Sequence, residues 1–214
     1  MEQADTRQTR RRARTRGALL AAAEELFAAR GPDAVSVDEI VAGADVAKGS
    51  FYNHFSDKND LAREVMLGVR GEIERQVIEA NRGIVDPAAR VARALCVFAR
   101  YALERPDRAR SLLHLSRNAT DPDAEVNEGV RHDVSAGLAA GRFGGESRDA
   151  AILLVMGAAQ AAFQRALDAD AATARKTVTG LVALLLRGLG VRLAEAQSIA
   201  AAAASDILTR KDRS

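Results

Sequence analysis

The chain has 214 residues, of which 48% are hydrophobic and 28% are charged, so it can bury a sizeable core and is not a disordered protein. Basic and acidic residues nearly balance at a net charge of +2, so overall charge identifies no partner. The single cysteine, Cys96, excludes an intramolecular disulfide framework and a zinc cluster built on cysteines. Cys96 is expected to be a small buried packing residue.

The N-terminal segment is charged rather than apolar, so no signal sequence is predicted. Residues 1–13 have no apolar anchor and are expected to form a disordered basic arm, which is either a solvated tail or a DNA-contacting segment. The Gly31-Pro32 pair then ends a predicted helix over residues 15–29. The apolar stripe of this helix consists of Leu19, Leu20, Ala23, Leu26 and Phe27.

Two very short amphipathic helices follow, and neither is long enough to be stable alone in water. Ser36 and Glu39 have the spacing of a capping box, which predicts the start of the first helix. Asp45 occupies the turn, and the second helix opens near Lys48. The residues expected to be buried are Val37, Ile40, Val41 and Ala44 in the first helix, and Val46, Phe51 and Phe55 around the second.

The outward side of the second short helix has the chemistry that a DNA major groove requires. A lysine can neutralise a phosphate, small residues permit close approach, and hydroxyl or amide groups can read base edges. The residues predicted to contact DNA here are Lys48, Gly49, Ser50, Tyr52, Asn53 and, at the edge, His54.

This segment resembles the helix-turn-helix of the TetR family of transcriptional regulators. The resemblance rests on Ala44, Val46, Ser50, Tyr52, His54, Phe55, Lys58 and Leu61, and upstream on Leu19, Leu20, Ala23, Glu25, Leu26 and Phe27. Asp45 stands where the family usually has a turn glycine, and because aspartate tolerates the left-handed conformation, a slightly strained but formed turn is expected. The resemblance implies a DNA-binding regulator, and Ser36 and Lys58 are added to the predicted DNA contacts.

A long helix is predicted from about residue 57 to 81, capped by Ser56. At 1.5 Å per residue it is longer than a three-helix head requires, so it is expected to connect a head over residues 14–60 to a second domain over residues 61–214. No convincing alternating strand is present, and the predicted class is therefore all-α. Further helices are predicted from Pro87 to Arg105, through Leu112–Leu115, and over about 124–140, 147–167, 171–189 and 193–208.

The helices over residues 147–167 and 171–189 have no clear polar side, so each must be buried on most of its circumference. One chain of this size can hardly enclose both, and a twofold four-helix interface with a second copy is predicted. The TetR resemblance implies the same homodimer. The predicted interface residues are Ile152, Val155, Ala159, Val178, Leu181 and Leu185.

The TetR resemblance also implies that the second domain binds a small-molecule effector. Residues from the middle and the late helices are of a size and polarity that could line such a site. The predicted effector-binding residues are Phe98, Tyr101, His114, Asn118, Met156, Gln160 and Phe163.

Catalytic, metal and membrane functions are not expected. The three histidines lie far apart in the chain, no catalytic motif is present, and the acids of residues 121–125 form an incomplete calcium loop. No cofactor is predicted, and the apolar run of residues 150–159 is shorter than the roughly 20 residues that a membrane helix needs.

The sequence thus predicts a cytoplasmic repressor that binds a palindromic operator as a homodimer and is released by a ligand. The alternative is a helical ligand-binding or protein-interaction bundle without specific DNA binding.

Overall fold

The computed structural model describes residues 2–116, 123, 127–145 and 147–209, with side chains from residue 7 onwards. The described residues form α-helices joined by short loops and one 3-10 turn, Pro32–Ala34, and they contain no β-strand, which confirms the all-α class. The helices are α1 Glu2–Arg30, α2 Val37–Gly43, α3 Lys48–Tyr52, α4 Lys58–Ala80, α5 Pro87–Glu104, α6 Pro106–Leu115, α7 Glu128–Ala139, α8 Arg148–Asp168, α9 Ala171–Gly188 and α10 Leu193–Leu208.

The chain packs as two compact units. The first contains the residues up to Arg70 together with α6, and the second contains the rest of α4 with α5 and α7 to α10. The first unit extends beyond the expected boundary near residue 60 because Leu61 and Val65 of α4 belong to its hydrophobic core.

The first helix differs from the prediction, since α1 begins at Glu2 where residues 1–13 were expected to be disordered. Arginine, alanine and glutamine dominate this stretch, and all three have high helix propensity. The exposed arginines Arg7, Arg10, Arg11 and Arg14 therefore lie on a helix that continues from the buried stripe of Leu19.

The core of the first unit explains how α2 and α3 remain folded despite having seven and five residues. Each helix places at least one fully buried side chain in a core shared with α1, and burying such a side chain contributes about 1.5–3 kcal/mol. The core consists of Leu19, Ala23 and Phe27 of α1, Val35, Ile40 and Val41, Phe51 and Phe55, and Leu61, Ala62 and Val65 of α4.

The start of α4 is capped by Asp57 rather than by Ser56. The Asp57 carboxylate accepts the backbone N–H of Asp60 at 2.8 Å, while the Asp60 carboxylate accepts the backbone N–H of Ser56 at 3.0 Å. The first bond satisfies a donor that the first helical turn leaves free, and the second ties the residue before the cap to the same turn.

In the second unit α5 is the central helix, packed against α7, α8, α9 and α10. Its N-cap Asp86 accepts the backbone N–H of Ala88 and binds Arg142 through two bonds of 2.8 and 3.1 Å. These bonds to Arg142 hold the pKa of Asp86 below its usual value.

Cys96 lies inside α5 with no exposed surface. Burial raises the pKa of its thiol to about 12, so its packing role is confirmed.

A buried ion pair joins α5 to α7. Arg90 Nε donates to Asp133 Oδ1 at 2.6 Å, and the Asp133 side chain is 8% exposed. The same arginine is tied to the preceding loop, because the Asn81 amide donates to the Arg90 carbonyl. The pair therefore fixes α7 and the α4–α5 loop to the central helix.

Helix α8 is long and apolar enough to meet the length and composition criteria for a membrane span, beyond the shorter apolar run considered from the sequence. Its buried residues, among them Ile152 and Phe163, pack against α5 and α9. A core helix of a globular unit meets the same criteria.

Candidate functional site

Helices α2 and α3 form the candidate DNA-binding site. Ser36 caps α2, because its hydroxyl accepts the Glu39 N–H at 3.2 Å and the Glu39 carboxylate accepts the Ser36 N–H at 2.8 Å. The predicted capping box is thus confirmed. The Ser36 N–H and the Arg30 guanidinium lower the pKa of Glu39 to about 2, so this carboxylate is ionised and holds α2 to α1.

The turn between α2 and α3 adopts the expected left-handed conformation. Asp45 has a φ of 52°, and no other non-glycine residue has a positive φ among the residues that the structure describes. Aspartate accepts this conformation at a smaller cost than most side chains. The prediction of a formed turn at Asp45 is confirmed.

Helix α3 is anchored by one buried ring, and its other side faces outward. Phe51 is fully buried and contacts Tyr52 and Phe55 at ring-centroid distances of 5.2 and 5.7 Å. Lys48, Gly49, Tyr52 and Asn53 are exposed, and Ser50 is half-buried. The structure therefore brings the predicted contact residues of α3 together on one outer surface.

His54 lies at the edge of this surface, half-buried beside Phe55. Burial, together with the positive charges of Arg12 and Arg16, lowers the pKa of His54 below its usual value. The imidazole is therefore neutral near pH 7 and supplies hydrogen-bonding groups rather than charge. Arg16 itself pairs with Glu64 at 2.7 Å and lies over the Phe55 ring, 5.4 Å from its centroid.

Lys58 does not lie on the outer surface of α3, and its role as a phosphate contact stays a prediction. Its Nζ donates to the carbonyls of Pro32 at 2.7 Å and of Val35 at 2.8 Å. An ammonium group has three donors, so it can bind both carbonyl oxygens at once. Lys58 thus fixes the loop before α2 to the start of α4. Ser36 remains exposed, although its hydroxyl is used in the capping box.

Sequence reasoning did not identify the partner of Lys48. Lys48 Nζ lies 2.7 Å from Asp38 Oδ1, and both side chains are more than half exposed. The hydrogen bond to Asp38 and the Asp38 charge raise the pKa of Lys48. The two residues are ten positions apart on different helices, so no helix-periodicity rule pairs them.

The predicted effector residues are not all brought together. Phe98 of α5 and Phe163 of α8 meet edge to face with their centroids 6.0 Å apart. Next to Phe98 in the chain, Arg100 donates to Gln76 of α4 at 3.0 Å, and the buried Tyr101 hydroxyl donates to Glu72 at 3.1 Å. Glu72 and Gln76 lie four residues apart on the second part of α4. They are candidate effector-binding residues that the sequence did not reveal.

Other predicted effector residues lie elsewhere. Met156 is half-buried, whereas Gln160 is exposed on the outer side of α8. His114 belongs to the first unit, where its Nδ1 lies 2.7 Å from the Phe27 carbonyl oxygen. Asn118 lies outside the described residues, as do most of the acids of residues 121–125. Among the described residues no cluster of side chains could hold a metal ion.

Four of the six predicted dimer-interface residues are packed inside the protomer, which corrects the prediction for those four, and the other two stay a prediction. Ile152, Val155, Val178 and Leu185 are at most 4% exposed, and Ala159 and Leu181 are half-buried. Because neither helix has a clear polar side, their sequences do not reveal which side faces the protomer's own core. The exposed apolar residues on the opposite side are Leu153 at 43%, Leu154 at 44% and Leu184 at 63%, here called the apolar patch.

A short helix with an exposed polar face, held by a capped helix, a left-handed turn and a common core, defines a helix-turn-helix DNA-binding protein. Family models match both parts of the chain: bacterial regulatory proteins of the tetR family over residues 19–65, and the tetracycline repressor-like C-terminal domain over residues 86–202. The chain belongs to the tetR family of bacterial regulatory proteins.

Individual relatives are similar over different shares of the chain. The transcriptional repressor BepR of Brucella suis is 37% identical over 70 residues, which are 33% of this chain and 34% of BepR. The transcriptional activator FasR of Mycolicibacterium smegmatis is 33% identical over 107 residues, which are 50% of this chain and 48% of FasR. The chain thus spans about a third to a half of the length of these curated relatives.

One solved structure is similar over nearly the whole chain. RolR in complex with resorcinol is 30% identical, with a TM-score of 0.60, and the match covers 90% of this chain and 95% of RolR. The similarity therefore includes the second unit as well as the helix-turn-helix.

Proposed function

We propose that this chain is a homodimeric repressor that acts in the cytoplasm, binds a palindromic operator and is released from it by a small molecule. The observation that carries the proposal is the outer surface of α3, where the exposed Lys48, Tyr52 and Asn53 surround the buried anchor Phe51. Exposed hydroxyl and amide groups on this five-residue helix can read base edges, whereas the packing of a helical bundle does not require them.

Dimer formation is supported by the apolar patch. A Cβ atom built on Gly188 of α9 would lie 3.1 Å from Leu154 Cδ2 of α8, so the two helices share one surface there. Leu184 lies one turn before Gly188, and built Cβ atoms on Gly157 and Gly180 meet nothing within 4 Å. Exposed leucines beside open glycine positions suit the close approach of a second copy.

The function on DNA is tested with a triple variant, Ser50→Ala, Tyr52→Ala and Asn53→Ala. DNA fragments selected from a random pool by the wild-type protein should share a palindromic sequence, and the triple variant should lose this preference. Loss of each base contact is expected to cost about 1–3 kcal/mol of discrimination. Fluorescence anisotropy on selected and scrambled duplexes measures the change.

The matched control for this test is Gln197→Ala, which removes an exposed amide from α10. This variant should select the same sequence as the wild type. Circular dichroism confirms that the triple variant remains helical. Undiminished preference of a folded triple variant for the selected operator would contradict the assignment of α3, and failure of the wild type to select any sequence would favour the bundle without specific DNA binding.

Effector binding is supported by the aromatic pair Phe98–Phe163 and by the polar groups Tyr101 and Glu72 within the second unit. Resorcinol, the ligand of RolR, is the first probe, because it combines an aromatic ring with two hydroxyl groups. An effector that releases the operator must bind the operator-bound protein more weakly by the same factor, typically 5- to 150-fold.

Calorimetric titration of resorcinol and related phenols, with and without the selected operator, measures this factor. A ligand that binds free and operator-bound protein equally well is not an effector. If no phenol in the series binds, the effector belongs to a different chemical class. Phe163→Ala and the matched exposed-surface control Gln164→Ala should differ, with weakened binding in the first variant alone.

A further inference from the structure

The Lys48–Asp38 ion pair lies on the surface proposed to face DNA. It joins α2 and α3, which the hydrophobic core already holds together. Lys48 is the first residue of α3 and Asp38 is the second residue of α2. Their charged atoms are 2.7 Å apart, with the side chains 56% and 69% exposed. An ion pair this exposed contributes little to folding stability.

Comparison with the other ion pairs of the first unit separates this pair from the structural ones. Arg16–Glu64, Arg30–Glu39 and Arg108–Glu24 also connect two different helices, and each of their side chains is at most 45% exposed. The capping of α2 is supplied by Ser36 and Glu39 and does not require Asp38. The carboxylate of Asp38 is therefore available for a role other than holding the fold.

From this arrangement we infer that Asp38 is a built-in competitor of DNA phosphate for Lys48, and that it limits the affinity of the head for every DNA sequence. The inference rests on the proposed function of α3. A duplex that reaches Lys48 must either displace Asp38, leaving a carboxylate facing the phosphates, or leave the pair intact and gain no counterion release from Lys48. Both routes weaken the part of binding that is independent of sequence.

As a consequence, a larger share of the protein's affinity for DNA comes from base contacts, and a smaller share from phosphate contacts, than its number of cations suggests. Non-specific binding comes almost entirely from phosphate neutralisation, so a cation already paired within the protein lowers it directly. Asp38 is thus a positioning residue: it acts through Lys48 and sets how strongly Lys48 attracts the duplex.

The test measures how operator affinity depends on salt concentration in four proteins: wild type, Asp38→Asn, Lys48→Ala and the double variant. Release of Lys48 in Asp38→Asn should steepen the plot of log affinity against log salt by about one for each head that contacts DNA. Binding at 0.1 M salt should tighten about five- to tenfold per head, for the operator and for scrambled DNA alike. In the Lys48→Ala background the same Asp38→Asn change should have a clearly smaller effect, because it then removes only the repulsion between the Asp38 carboxylate and the phosphates.

Two further variants make the outcome unambiguous. Asp45→Asn removes one exposed negative charge from the α2–α3 turn and serves as the matched control, with an expected change well below that of Asp38→Asn. Asp38→Ser repeats the neutralisation with a different side chain, and thermal melts verify that each variant is folded.

The inference is overturned if Asp38→Asn leaves the salt dependence unchanged, or if it strengthens binding equally with and without Lys48. A wild-type protein that binds no duplex contradicts the proposed function itself, and the inference with it. A wild type that binds a selected operator while Asp38→Asn has no effect leaves the proposed function intact and removes only the inference.

Discussion

Leu184→Asp is expected to convert the proposed dimer into a folded monomer and to reduce operator affinity by several orders of magnitude. Leu184 is the most exposed member of the apolar patch, at 63%. In a dimer that buries this patch, the substitution places an unpaired charge in an apolar interface twice, at a cost of several kcal/mol. The monomer keeps one head and loses the second half-site contact. Analytical ultracentrifugation and operator binding at the same protein concentration measure both effects.

The matched control is Leu193→Asp, which places the same charge at a leucine on α10 that is 51% exposed and lies outside the apolar patch. This variant should sediment and bind DNA as the wild type does. A monomeric wild type at micromolar concentration, or a Leu184→Asp variant that remains dimeric, would contradict the assignment of the apolar patch. The helix content of both variants should stay near the wild-type value, because neither side chain belongs to the protomer core. The melting temperature should fall in Leu184→Asp alone, because that variant loses the stabilisation that dimer formation gives the folded state.

Arg90→Ala is expected to lower the free energy of unfolding by about 3 kcal/mol, because it leaves the Asp133 carboxylate buried without its cation. Asp133 is 8% exposed, so water can reach little of the stranded charge. For a chain of this length the melting temperature should fall by about 6–12 °C. Urea unfolding followed by circular dichroism measures the change.

Arg82→Ala is the control for this experiment. Arg82 pairs with Glu79, three positions earlier, and both side chains are more than 60% exposed, so its loss should change stability by less than about 1 kcal/mol. A small effect of Arg90→Ala, similar to that of Arg82→Ala, would mean that the Asp133 carboxylate is solvated. Replacing both Arg90 and Asp133 with apolar residues should recover much of the lost stability, since the desolvation cost of the pair disappears as well.

The features that the sequence predicted well are determined by neighbouring residues. The capping box of Ser36 and Glu39, the left-handed turn at Asp45 and the proline that starts α5 each depend on a few adjacent positions. Phe51 and Phe55 follow from the same local periodicity, and both are buried. Such features need no knowledge of how distant segments pack.

The features that the sequence predicted poorly depend on contacts between distant segments. The family pattern that includes Lys58 did not predict its bonds within the chain, because its ammonium group binds carbonyls more than twenty positions earlier. Packing against α5 determines which side of α8 and of α9 faces the protomer core. Hydrophobicity alone did not distinguish the buried side of α8, which carries Ile152, from its exposed side, which carries Leu154. Arg90 and Asp133 likewise pair across 43 positions.

Gly49 has a consequence for how the operator preference of such a protein can change. A Cβ atom built at Gly49 meets nothing within 4 Å beyond its chain neighbours and the backbone of α3 itself, so side chains can be added there without disturbing the core around Phe51. The neighbouring Tyr52 and Asn53 are exposed as well. Folding therefore constrains one position in α3 and leaves its outer positions open to variation. Random libraries at residues 49, 52 and 53 accordingly offer a direct route to altered sequence preference on an unchanged scaffold.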